Sequence, residues 1–206
     1  MGEDLGGLWP DQPASWILRL VGDVQVCRAG TGHAAPVGSR KARILLAYLG
    51  ARGGETSYVA DIVEAVWAGS PPRDPAANVA TLVSRLRARF GIDTIMGART
   101  GYRVGELRVD LHEAAALVST AENALKRAQP AYALLVAEQA IKLIGGGPVV
   151  AEHTADWAED TRALQRSVLQ RAWQVGADSA RRTGAPSLAR AMAETAEIVG
   201  PGYVAS

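Results

Sequence analysis

Three arginines stand at alternate positions, Arg85, Arg87 and Arg89, in the segment LVSRLRARF at 82–90, and Arg99 and Arg103 follow in GARTGYRV. A guanidinium is always charged, and its planar fork can bond two acceptors at once, either phosphate oxygens or O6 and N7 of a guanine. On a helical wheel, residues 75–90 place Val79, Val83, Leu86 and Phe90 within one narrow arc, the face to be buried. Opposite them lie Ala77, Thr81, Ser84, Arg85 and Ala88, with Asn78 at the edge. A face of small and polar residues carrying one arginine can press closely into a groove. On this reading Arg85 meets a base edge, Arg87 and Arg89 meet phosphates from the flanks, and Asn78, Thr81 and Ser84 add base or phosphate contacts. A hairpin is expected next, with strands at Ile95-Met96 and Tyr102-Arg103-Val104 and a tip from Gly97 to Gly101. Arg99 and Thr100 are exposed donors at that tip, and Tyr102 packs inward. A basic helix followed by a basic hairpin is how a winged helix-turn-helix meets duplex DNA.

The preceding elements would hold that helix in place. Ile17–Val21 and Val24–Val26 read as strands around a Gly22-Asp23 turn, and the turn-rich stretch 29–38 leaves room for one more. Ser39 is a natural N-cap for a helix from Arg40 to Ala51, stopped by Gly53-Gly54. Glu55-Thr56 suits a bridging strand, and Ser57 a cap for a second helix reaching Trp67, broken by Gly-Ser-Pro-Pro at 69–72. Pro75 suits the first turn of the third helix. The helix N-termini at Arg40 and near Ala76 offer backbone N–H groups to phosphate.

From Leu111 the pattern is helical only, over about 111–128, 130–144, 155–182 and 186–199. PAYALLVAEQA at 130–140 matches PSLARAMAETA at 186–196, residue for residue at Pro130/Pro186, Ala133/Ala189, Ala137/Ala193, Glu138/Glu194 and Ala140/Ala196. Two helical hairpins of tetratricopeptide type would give this repeat. Residues 1–14 lack periodicity and read as a flexible tail.

Charge divides the chain in the same place. Residues 36–104 carry ten basic and five acidic residues, a balance of +5, whereas 111–206 carry nine basic and ten acidic, a balance of −1. The first segment suits a polyanion and the second does not. Arginine alone is weak evidence, since only Lys41, Lys126 and Lys142 of the 22 basic residues are lysine, a bias that fits a GC-rich genome. Apolar runs are short, and no basic-then-apolar leader is visible, so neither a membrane span nor a signal peptide is expected and the cytoplasm is the expected compartment. One cysteine, Cys27, permits no internal disulfide. His33, His112 and His153 lie in separate segments without ligands at metal spacing, so no metal and no cofactor is expected. Gly145-Gly146-Gly147-Pro148 lacks the Lys-Ser/Thr of a phosphate loop and reads as a connection between helical units. Asp156, Glu159 and Asp160 suit a helix N-terminus better than acid–base catalysis. No set of residues supports an enzyme.

The order of these motifs resembles the Streptomyces antibiotic regulatory protein family, which joins an OmpR/PhoB-type winged helix to a helical bacterial transcriptional activator domain. The resemblance covers residues from about 16 to 206. It rests on Gly38-Ser39-Arg40-Lys41-Ala42-Arg43, Leu45-Leu46-Ala47, Trp67, Pro71-Pro72, Val83-Ser84-Arg85-Leu86-Arg87, Thr100-Gly101-Tyr102-Arg103-Val104 and Val109-Asp110-Leu111. In the second half Asp156-Trp157-Ala158, Leu164 and the Ala-rich hairpin carry it. The resemblance implies an α+β chain: a winged helix with a small antiparallel sheet over 15–110, then an all-α, tetratricopeptide-like domain over 111–206. It implies a regulator, an activator by preference, that binds direct repeats in double-stranded promoter DNA, as a side-by-side homodimer, and recruits RNA polymerase. Arg85 would then read a base, Arg87 and Arg89 would grip the backbone, and Arg99 would serve the wing, with Thr100, Arg103 and Arg40 as further DNA-binding candidates. Ile144 stands where the family has an aromatic, and such domains continue past the position of Ser206, so an incomplete activator domain is expected. The residues also fit a protein-interaction module whose helical repeats bind a partner while the winged helix has little affinity for DNA.

Overall fold

The computed structural model describes residues 16–199, so the N-terminal tail expected over 1–14 lies outside the described residues. Two compact units divide the chain, one from 24 to 109 together with the strand before it, the other from 110 onward together with residues 21–23. The first is α+β and the second is helical.

In the first unit, β1 (Trp16–Arg19) pairs antiparallel with β2 (Gln25–Arg28), which pairs with the two-residue β3 (Ala34–Ala35). Helix α1 (Arg40–Ala51) starts where Ser39 caps it, its side chain accepting the Ala42 N–H at 3.3 Å. It buries Ile44, Leu45, Leu46 and Leu49, four apolar side chains in six positions, which places it at the centre of the core. The bridging strand β4 is Ser57–Tyr58, two residues later than expected, and α2 (Val59–Trp67) follows at once. Ser57 is therefore a strand residue opposite Tyr102, its hydroxyl buried without a partner, and Tyr58 takes the N-cap position with no side-chain cap. Sheet pairing has overridden the capping preference of serine. Lys41 closes the other end of α2, donating to the Val66 carbonyl at 3.0 Å with its ammonium over the Trp67 ring.

Helix α3 (Pro75–Phe90) has the expected bounds. Asp74 caps it, accepting the Ala77 N–H at 3.0 Å, and Pro75 fills the first turn, where an N–H would lack a partner. A 3-10 turn at Ile92–Thr94 leads into the hairpin β5 (Ile95–Ala98) and β6 (Gly101–Val104), and β4 joins the far edge of β6. The last strand, β7 (Leu107–Val109), was not expected; it runs parallel to β1 and completes the sheet β3-β2-β1-β7.

The second unit consists of α4 (Asp110–Lys126), α5 (Pro130–Ile144), α6 (Asp156–Arg182) and α7 (Pro186–Val199), all close to the expected spans. Each helix packs on the next, and α4 also packs on α6. Alanines at 121, 124, 133 and 137 form a core cluster with Leu125, Val136 and Val175, and such small side chains allow the helix backbones to approach closely. Asp110, almost fully buried, accepts the Leu111 N–H at 2.8 Å and the Val21 N–H at 3.3 Å. Gln165, also buried, uses its whole amide on the 145–150 loop. Its Nε2 donates to the carbonyls of Ile144 and Gly147 at 2.7 and 2.8 Å, and its Oε1 accepts the Val149 N–H at 2.9 Å. Glu122 and Arg171 tie α4 to α6 through a bidentate pair, Arg171 donating to the carboxylate at 2.9 and 2.8 Å, and these hydrogen bonds to Glu122 raise the guanidinium's already high pKa. On α6, hydrogen bonds from Arg162 and then Arg166 hold the Glu159 carboxyl below its ordinary range.

The internal repeat extends into the backbone. After α4, the Gln129 N–H bonds the Ala124 carbonyl at 3.0 Å and the Ala128 N–H bonds Leu125 at 3.1 Å. After α6, the Ala185 N–H bonds Ala180 at 2.9 Å and the Gly184 N–H bonds Arg181 at 3.3 Å, the same pattern at the same offset as the matched sequence. Both are Schellman turns, with the left-handed residue Ala128 at φ 58° in one and Gly184 at φ 81° in the other.

A side chain in that conformation costs about 1–2 kcal/mol, partly offset by the greater freedom of glycine in the unfolded chain. Ala128→Gly should therefore stabilise the second unit by roughly 0.5–1 kcal/mol and raise Tm by a few degrees, whereas Gly184→Ala should do the opposite. Thermal melts followed by circular dichroism check both signs, and a destabilising Ala128→Gly would contradict the turn geometry. Gln165→Leu, which strands two buried backbone groups and one part-buried one, should cost on the order of 1–3 kcal/mol per buried group left unpaired, read by urea titration.

Candidate nucleic-acid interface

The apolar arc of α3 is buried as expected, with Val79 at 0%, Val83 at 1%, Leu86 at 1% and Phe90 at 5% exposure, and Leu82 joins it. That arc packs toward α1 and α2. Ala77, Asn78, Thr81, Ser84, Arg85, Ala88 and Arg89 are all exposed on the remaining surface. Two of the polar groups bond the helix itself: Asn78 Nδ2 donates to the Asp74 carbonyl at 2.7 Å, and Thr81 Oγ1 donates to Ala77 at 2.8 Å. Arg85 makes no side-chain hydrogen bond or ion pair with any described residue, so its fork is available to a ligand. Arg89 is exposed with its guanidinium 5.8 Å from the Phe90 ring centroid.

Arg87 departs from the expected flank position. It is half-buried and turns toward the hairpin, where Nε donates to the Ile95 carbonyl at 2.8 Å and Nη2 to the Gly97 carbonyl at 2.9 Å. Its guanidinium also lies 5.9 Å from the Tyr102 ring centroid. Two of its donors, Nε and Nη2, are thus engaged inside the protein.

The hairpin is tighter than its sequence suggested. The strands run to Ala98 and from Gly101, so the turn is only Arg99-Thr100, both exposed. Along β6, Tyr102 and Val104 are buried while Arg103 points outward, the alternation of a half-buried strand. Gly97 has φ +108°, and a Cβ there would collide with the Gly101 carbonyl oxygen. Arg40 occupies the exposed first turn of α1. One exposed side chain near the turn escaped the sequence reading: Tyr58, 67% exposed, lies opposite Gly101 in the β4–β6 pairing. Its signal was hidden because Ser57-Tyr58 reads as a helix start.

Other candidates have structural roles. Cys27 is buried in β2, and no group of His, Cys, Asp or Glu among the described residues could hold a metal. No described helix is long and apolar enough to cross a membrane. The 145–150 loop connects α5 to α6, and Trp157 stacks obliquely on His153 at 5.5 Å.

A helix with an open polar face, braced by a β-hairpin wing and followed in sequence by packed helices, is a winged-helix architecture. The chain is 31% identical over 145 residues to Regulatory protein AfsR of Streptomyces coelicolor, a match covering 68% of this chain and 14% of that protein. It is 36% identical over 89 residues to Regulatory protein AfsR of Streptomyces griseus, covering 42% of this chain and 9% of that protein. Among solved structures, Mycobacterium tuberculosis EmbR in complex with a low affinity phosphopeptide superposes with a TM-score of 0.64 at 18% identity, over 93% of this chain and 62% of EmbR. No family model matches. These similarities support a place in the Streptomyces antibiotic regulatory protein family, and the chain spans a small part of the length of the two curated relatives.

Gly97→Ala should disrupt the hairpin, because the new methyl group meets backbone and cannot be relieved by a rotamer change. The strained conformation sets the expected loss at on the order of 1–3 kcal/mol. Urea unfolding measures it, and an unchanged midpoint would show that Gly97 does not need its positive φ.

Proposed function

We propose that the first unit is the DNA-binding domain of a transcription regulator and that α3 enters the major groove of promoter DNA. The outer face of α3 carries this reading, since its small residues permit close approach and Arg85 stands on it unengaged. Arg85 reads a guanine edge, with Asn78, Thr81 and Ser84 beside it. Arg89, Arg103 and the Arg99-Thr100 turn hold backbone phosphates, and Arg40 offers a further phosphate contact from α1. The net charge of +5 over 36–104 supplies the long-range attraction. The second unit is the helical activator domain, contacting RNA polymerase, and two copies sit side by side on a direct repeat in the cytoplasm. The similarity to the two AfsR regulators supports these assignments by analogy.

A second reading makes the helical unit the binding element. Tyr132 and Leu135 favour it, each 51% exposed and one turn apart on α5.

Fluorescence anisotropy with the chain's own upstream DNA and a scrambled duplex, across a salt series, separates the two. A steep salt slope with preference for the native fragment is expected, and no binding at low salt would shift the function to the helical unit. Arg85→Ala should cost about 1–3 kcal/mol on specific DNA and little on random DNA, while Arg89→Ala should weaken both equally and flatten the salt slope by about one. Equal losses on both duplexes for Arg85→Ala would remove it from base reading.

A further inference from the structure

We propose that Arg87 is a positioning residue that fixes the wing to the recognition helix, so that the two present their donors as one body. This inference rests on the DNA-binding reading for its functional consequence, but its structural part stands by itself.

In the β5–β6 hairpin, Ala98 faces Gly101 across a two-residue turn, so the peptide groups of Ala98 and Met96 point toward β6. Those of Ile95 and Gly97 then point away, along the open edge of a sheet whose order is β4-β6-β5. The carbonyls of Ile95 and Gly97 are the two that Arg87 bonds, at 2.8 and 2.9 Å. A single guanidinium fork thus occupies successive outward acceptors of an edge strand. Only a planar group with two divergent donors can do this; a lysine ammonium at the same place is a point donor on a flexible stem. The same group lies over the buried Tyr102 ring on β6, so it touches both strands.

Arg87 stands one turn before the C-terminal end of α3 and two residues after Arg85. A hairpin held there cannot shift along the helix without breaking both hydrogen bonds. Arg99 and Thr100 at the turn therefore keep a fixed offset from Arg85, and two groups on separate elements can match two positions on one duplex without ordering anew on binding.

Two variants and two readouts test this. Arg87→Lys keeps the charge and loses the fork, and Arg87→Ala loses both. Amide hydrogen exchange of the free protein over 95–104 should accelerate on the order of tenfold or more in both variants, with α1 and α3 unchanged. In DNA titrations, Arg99→Ala should weaken the wild type markedly and the Arg87→Lys background hardly at all, because an unfixed wing no longer delivers Arg99. Wild-type exchange together with wild-type affinity in Arg87→Lys would overturn the proposal. So would full additivity of Arg87→Lys with Arg99→Ala, or unchanged exchange in Arg87→Ala with a salt slope reduced by about one, which is the signature of a direct phosphate contact. If the wild type fails to bind DNA, the functional reading falls, while the exchange rates still decide whether Arg87 holds the hairpin.

Discussion

The apolar arc of α3 sets the rotation of the helix, and nearly everything at the interface follows from that rotation. Val79, Val83, Leu86 and Phe90 are all buried, and each such side chain stabilises by roughly 1.5–3 kcal/mol relative to exposure. Turning the helix by one residue would expose Val83 and bury Ser84, a loss no single polar contact on the outer face could offset. Arg85 therefore faces solvent because Leu86 does not. The residue two positions further, Arg87, falls at the border of the buried arc, where a long side chain can lie across protein surface while its head finds acceptors.

The wing is the more delicate part. A two-stranded hairpin is marginal alone, so it needs support on both edges and on one face. Ile95, Tyr102 and Val104 supply the buried face, and β4 supplies one edge through Ser57 and Tyr58. The remaining edge, β5, would otherwise offer its carbonyls to any passing strand, and there Arg87 meets it. The same arginine that guards the edge also links helix to hairpin, so protection against mispairing and geometry for binding come from one side chain.

Where hydrophobic period and capping agree, the sequence was a sufficient guide. Helix α3 has its expected bounds because Asp74, Pro75 and the apolar arc all favour the same start and phase. The α1 cap at Ser39 was legible for the same reason. Local signals failed where long-range pairing decided the outcome. Ser57 looks like a helix cap, but pairing with Tyr102 makes it a strand residue, and Leu107–Val109 becomes a strand only because β1 is there to receive it. Among the site residues, the outward face of α3 could be read from spacing alone. The inward turn of Arg87 could not, since nothing in the alternation of arginines distinguishes a side chain that bonds strand carbonyls from one that meets solvent. Gln165 was invisible likewise, because its three partners lie 16 to 21 residues away, at the end of α5 and in the loop after it.

The helical unit shows which features of a repeated element packing preserves. At the buried alanine positions the two halves agree, though Val136 corresponds to Met192: Ala133 and Ala189 are buried, as are Ala140 and Ala196, and the Schellman turns ahead of them share their hydrogen bonds. A larger side chain at any of these alanines would push two helices apart, so their size is fixed by the distance between backbones. At several solvent-facing positions the halves differ, although Glu138 and Glu194 agree: Tyr132 corresponds to Leu188, Leu135 to Ala191, and Lys142 to Ile198. Close helix packing constrains the inner positions in the same way twice and leaves the outer ones free to differ. The two hairpins can thus share one fold while presenting different surfaces, and any partner of this unit would tell them apart by those outer residues.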